Sequence, residues 1–190
     1  VRPLETFDGA VGLCSTQRQR CREERIALPD RFSTEPDIAT GFHVGLTLWA
    51  LGRIDAARRV VTDALASARE LGHVHTLCHA LAYSAVIAAF HRRADEALVL
   101  SAETIDFASR HELEMWKGYG SIIHAHARSL NGDTEAAIGV MESGFAWLAR
   151  TQTGHSVPVH HAVHARAHAS LRRFDEAGRY AAMVRAELES

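Results

Sequence analysis

Proline is scarce: among 190 residues there are four, Pro3, Pro29, Pro36 and Pro158. None falls between Asp37 and Val157, so nothing in that stretch forbids long helices. Cysteine is scarcer still. Cys14, Cys21 and Cys78 make no CxxC pair and no even framework. That excludes a disulfide scaffold and reads as reduced thiols of a cytoplasmic protein. Neither charge sign dominates, with 21 Lys and Arg against 23 Asp and Glu. The near-balance removes the electrostatic case for nucleic-acid binding. Long apolar runs are missing as well. The longest, 80–90, sits between His79 and His91 and is too short to cross a bilayer, so no membrane partner is expected. The opening VRPLETFDGA lacks the apolar core of a signal peptide. Val1 in place of Met reads as a piece of something longer.

Apolar residues make up 47% of the chain, enough to bury a core, and wholesale disorder is excluded. Alanine is abundant and no sustained alternation of apolar and polar residues occurs. The fold class is therefore all-α. The strongest organising signal is a repeat. GRIDAAR from Gly52, RRADEAL from Arg92, GDTEAAI from Gly132 and RRFDEAG from Arg172 start at equal steps of 40 residues. An acidic residue recurs at Asp55, Asp95, Glu135 and Asp175, and an alanine at Ala57, Ala97, Ala137 and Ala177. Each segment reads as a polar turn followed by a helix start, where negative charge complements the exposed N–H groups.

Twelve residues before each anchor alanine stands another small residue: Gly45, Ala85, Ala125 and Ala165. Small against small across a tight turn is the signature of an αα-hairpin. First helices are expected over 37–51, 73–90, 114–130 and 157–171. Second helices are expected over 55–71, 95–110, 134–150 and 175–188. Gly72 stands where a helix C-terminus favours glycine. The predicted layout is a remnant and connector over 1–36 and a repeat domain over 37–190, with units at 37–72, 73–112, 113–152 and 153–190. In the remnant, Leu4, Phe7 and Val11 sit at helical spacing. Over 15–36, Arg18, Arg20, Arg22 and Arg25 mark a solvated basic connector.

The unit resembles a tetratricopeptide repeat (TPR) with lengthened helices, the ordinary period being about 34 residues. More narrowly, LWALGRIDAARRVVTDALASARELGH, HRRADEAL and MWKGYGSIIHAHARSLNGDTEAAIGVMESGFAWLA are similar to the C-terminal repeat region of large bacterial regulators. In those, a class III adenylate or guanylate cyclase, or another effector, precedes a P-loop ATPase module. The resemblance covers about 36–180, and departs from the pattern where Arg92 and Arg172 stand in place of the turn glycine. It implies an α-α superhelix, a TPR-like solenoid of about four hairpins, with no catalysis in this segment and no cofactor. The implied partners are a protein or peptide, the upstream domains of the same chain, and a second copy in a homo-oligomer. No GxxxxGK[ST], GxGxxG or GxSxG motif is present.

First helices of such arrays line a concave side. Counted back from the anchor alanines, the groove-facing set includes Phe42, Trp49, His79, Tyr119, Ile122, His126 and Arg166. That surface is mostly apolar with a cationic patch, suited to an amphipathic helix or an extended peptide carrying a carboxylate. Two competing functions remain in view. One is a stand-alone peptide-binding receptor. The other is a His-rich metal-binding protein. The chain has 13 histidines, and His160, His164 and His168 share one helix face, with His161 beside them. His124 and His164 hold equivalent repeat positions. Against a metal, no HExxH occurs and 155–168 contains no acidic residue, so polar helix-surface histidines are the plainer reading. Carboxylate pairs such as Asp95-Glu96 are explained by the helix dipole, and Cys78, Trp116 and Trp147 by packing.

Overall fold

The computed structural model describes residues 34–150 and 157–189, together with Gly9, Gly12 and Thr16, which are helical. The expectations placed on Leu4, Phe7, Val11, the arginines of the connector, Cys14 and Cys21 lie outside the described residues. Among those described the fold is all-α, with eight helices paired into hairpins. They are α1 (Pro36–Ala50), α2 (Ile54–Leu71), α3 (Val74–Phe90), α4 (Ala94–Arg110), α5 (Glu114–Leu130), α6 (Thr134–Arg150), α7 (Val157–Ser170) and α8 (Phe174–Glu189). The chain groups into two compact units, Val1–His91 and Arg92–Ser190. No helix among the described residues is long and apolar enough to cross a membrane.

The 40-residue beat is built from left-handed turns. Gly52, Arg92, Gly132 and Arg172 all have positive φ, at 74°, 57°, 93° and 60°. The two arginines that replace glycine therefore hold the glycine conformation, at a cost of about 1 kcal/mol each. Three of these turns close with a backbone bond from the residue after the left-handed one to a carbonyl five positions back: Arg53 to Leu48 (2.9 Å), Asp133 to Arg128 (3.1 Å) and Arg173 to His168 (3.0 Å). This is the Schellman arrangement that satisfies the last carbonyls of a helix. Glu112, at φ 57°, makes the same closure between α4 and α5, in the break expected between 110 and 114 but outside the 40-residue beat.

Small residues let the paired helices meet. Ala57, Ala97 and Ala137 are fully buried, and so are Ala85 and Ala125, the small residues of the preceding helices. A Cβ on Gly45 would lie 2.5 Å from Val61 Cγ2 and 3.6 Å from the Ala57 carbonyl. In the last hairpin Ala165 and Ala177 are only half-buried. Trp147 lies on Gly118, where a Cβ would fall 2.5 Å from the indole. Trp116 is buried.

The recurring acidic residue does more than open a helix. Asn131 Nδ2 donates to Asp95 at 3.0 Å, and Arg173 donates to both oxygens of Glu135 at 2.7 and 2.9 Å. In each case the acid of one repeat is held by the turn of the next. These contacts are exposed, so each contributes under about 1 kcal/mol. They set register more than stability.

Candidate functional site

Within each unit the first helices pack on one another, α1 on α3 and α5 on α7. In the first unit, Phe42 is fully buried and its ring meets the His79 imidazole edge-on at 5.7 Å. Tyr83 lies 4.4 Å from His79, centre to centre. Trp49, half-buried, stacks on Phe90 at 4.8 Å. In the second unit, Tyr119 is buried and meets His160 edge-on at 5.2 Å. Ile122 is buried against Gly144, whose lack of a side chain admits it. His126 is buried, whereas Arg166 is exposed. Of the seven predicted groove residues, then, five are buried, Phe42 and His79 in the first unit and Tyr119, Ile122 and His126 in the second, while Trp49 and Arg166 retain surface.

His126 and Arg166 occupy the same position in successive repeats and are hydrogen-bonded to one another. A guanidinium can only donate, so Nε2 of His126 accepts and its proton sits on Nδ1. Burial lowers the His126 pKa to about 3, with the charges of Arg166 and His160 acting in the same direction. The imidazole is therefore a neutral acceptor that holds Arg166 in place. Burial and the charge of Arg92 both lower the Arg166 pKa as well. The spot is cationic, and a carboxylate would relieve it.

The histidine face points inward, not to the helix surface. His160, His164 and His168 are buried at 4%, 0% and 5% exposure. Rings enclose them: Phe145 on α6 stands 4.9 Å from His164, and Tyr180 on α8 stands 4.5 Å from His164 and 5.5 Å from His168. His161 stacks on Phe145 at 5.1 Å and meets Glu187 at 3.1 Å. Burial lowers the His164 pKa to about 4, helped by His168 and His161. His124 turns instead toward α4, where its Nδ1 lies 3.0 Å from Ser101 Oγ. Among the described residues no group of three or more His, Cys, Asp or Glu is placed to hold a metal ion. Burial pushes the Cys78 thiol up to about 12, which fits a packing role.

Sequence reasoning missed an open cleft of about 680 Å³ on the α5–α6 hairpin. Gly118, Gly139, Ser143 and Trp147 line it, with the Glu114–Lys117 ion pair (3.7 Å) at its side. The helical spacing of its small residues is the signal that could have found it.

Comparison with solved structures decides the architecture. A crystal structure of the kinesin light chain nearly identical TPR-like repeats of Podosopora anserina, a Q17M variant, superposes with a TM-score of 0.58. The match covers 95% of this chain and 85% of that one at 16% identity. A second structure of those repeats gives 0.51, covering 98% of this chain and 96% of that one at 15% identity. The fold is TPR-like. No protein-family model matches the TPR-like chain. An uncharacterized protein of Rhizobium meliloti (strain 1021) is 26% identical over 167 residues, 86% of this chain. The chain spans 16% of the length of that curated relative.

Proposed function

We propose that this TPR-like chain is a non-catalytic protein-interaction region of a longer bacterial signalling protein, working in the cytoplasm beside a cyclase or ATPase module. The observation that carries this reading is the fold, whose stacked hairpins present side-chain surfaces rather than an enclosed chamber. The bacterial relative, far longer than this chain, supports a part within a larger whole. The turn and spacing pattern of the sequence supports the cyclase or ATPase context.

On this reading a partner's acidic residue pairs with Arg166, which His126 holds at the surface of the second unit. Tyr119 and Ile122, on the same helix as His126, are buried. In the first unit Trp49 offers its own half-buried ring, supported by the stacked ring of Phe90. The test is made in the parent protein. Arg166→Glu and Trp49→Ala, made separately, should alter the cyclase or ATP-hydrolysis rate or the oligomeric state, and removal of 37–190 should abolish the response. Unchanged rate and assembly in all three would overturn the reading.

A further inference from the structure

We propose that His164 and His168 form a two-coordinate site for a monovalent copper ion between α7 and α8. The starting point is an anomaly in the core. His164 is fully buried and His168 is 5% exposed, yet none of their four ring nitrogens has a hydrogen-bond partner among the described residues. A buried polar atom without a partner is costly and calls for an unseen ligand. Here two such rings stand one helical turn apart, at i and i+4, as neighbours on one helix face.

The donor set narrows the ligand. Imidazole nitrogens bind zinc, copper and nickel. Zinc takes four ligands, and no third His, Cys, Asp or Glu is grouped with the pair among the described residues. A divalent ion would have to complete its shell with water, and the pair is closed to bulk solvent. An ion satisfied by two nitrogens on opposite sides escapes both demands, and monovalent copper is such an ion. The ring separation agrees. With metal–nitrogen bonds near 2 Å, opposed imidazoles place their centres about 6 Å apart and a tetrahedral pair about 5 Å apart. The observed separation is 5.9 Å.

The surroundings suit a single positive charge. Tyr180 lies 4.5 Å from His164 and 5.5 Å from His168, and Phe145 lies 4.9 Å from His164. Aromatic faces stabilise a cation where water is excluded.

The experiment uses the whole chain with Cys14→Ser and Cys21→Ser, which removes two thiols that also bind copper. Monovalent copper is titrated without oxygen against a chromogenic chelator, and the loaded protein is examined by X-ray absorption at the copper edge. The expected result is one ion per chain with two nitrogen neighbours and no sulfur. His164→Phe and His168→Phe should each weaken retention at least tenfold, while the exposed His43→Phe leaves it unchanged. Phenylalanine is chosen because it fills the ring cage and removes the unpartnered nitrogens. The absorption spectrum of the unsubstituted cage stands independently should a variant fail to fold. No retained copper, a sulfur or three-nitrogen shell, retention untouched by both variants, or one-for-one displacement by zinc would overturn the proposal.

Discussion

Acidification should unfold the second unit through two buried imidazoles. The folded state lowers the pKa of His126 to about 3 and of His164 to about 4, against an ordinary value of 6.5. The unfolded chain therefore binds two protons that the folded chain refuses as pH falls below 6.5. The stabilising contribution is fully present above that pH. It is lost as pH falls toward the folded values, at about 1.4 kcal/mol per pH unit for each ring. At pH 5 the pair should have removed about 4 kcal/mol, a large share of the 5–15 kcal/mol typical of a domain. With a urea slope of about 2 kcal/mol per molar, the unfolding midpoint should drop by about 2 M between pH 7 and pH 5. His124 of the same unit, also lowered by burial, adds in the same direction. Urea melts followed by circular dichroism measure the drop directly. In His126→Gln/His164→Phe the pH slope should shrink by about two protons. A pH-independent midpoint, or a double variant that keeps the full slope, would refute the reasoning.

Three further outcomes follow from backbone and packing. Arg92→Gly and Arg172→Gly relieve left-handed strain at φ 57° and 60°, and each should stabilise by up to about 1 kcal/mol, read as a rise in Tm. Gly45→Val drives a side chain into Val61 and should cost about 3 kcal/mol in a denaturant melt, whereas Gly139→Ala, with open space around it, should gain about 1 kcal/mol. Arg173→Ala removes both bonds to Glu135 yet should change stability by less than about 1 kcal/mol, because the pair is exposed.

The hairpins were legible because their signals are local. Spacing of 40 residues, paired small residues and Gly72 placed all eight helix starts within one residue. The break between 110 and 114 was legible, but the left-handed conformation of Glu112 was not, since nothing in its side chain favours positive φ and the closing bond from Leu113 to Ala108 does the work. The direction of the histidine face was also hidden. Spacing puts His160, His164 and His168 on one side of a helix, but only the rings of Phe145 and Tyr180, from other helices, make that side the interior. The groove residues show the same limit. The periodicity located His126, and the neighbouring Arg166, one repeat away, determined that it is covered.

That His126 and Arg166 touch while standing 40 positions apart has an evolutionary consequence. Equal ranks in neighbouring hairpins become partners, so a change at one rank selects for an answering change one full period along. Duplication or loss of an entire period preserves every such partnership, while an insertion of a few residues inside one breaks them all at once. Growth by whole periods is therefore the route of least damage, and paired drift at that fixed interval is the trace it leaves in related sequences.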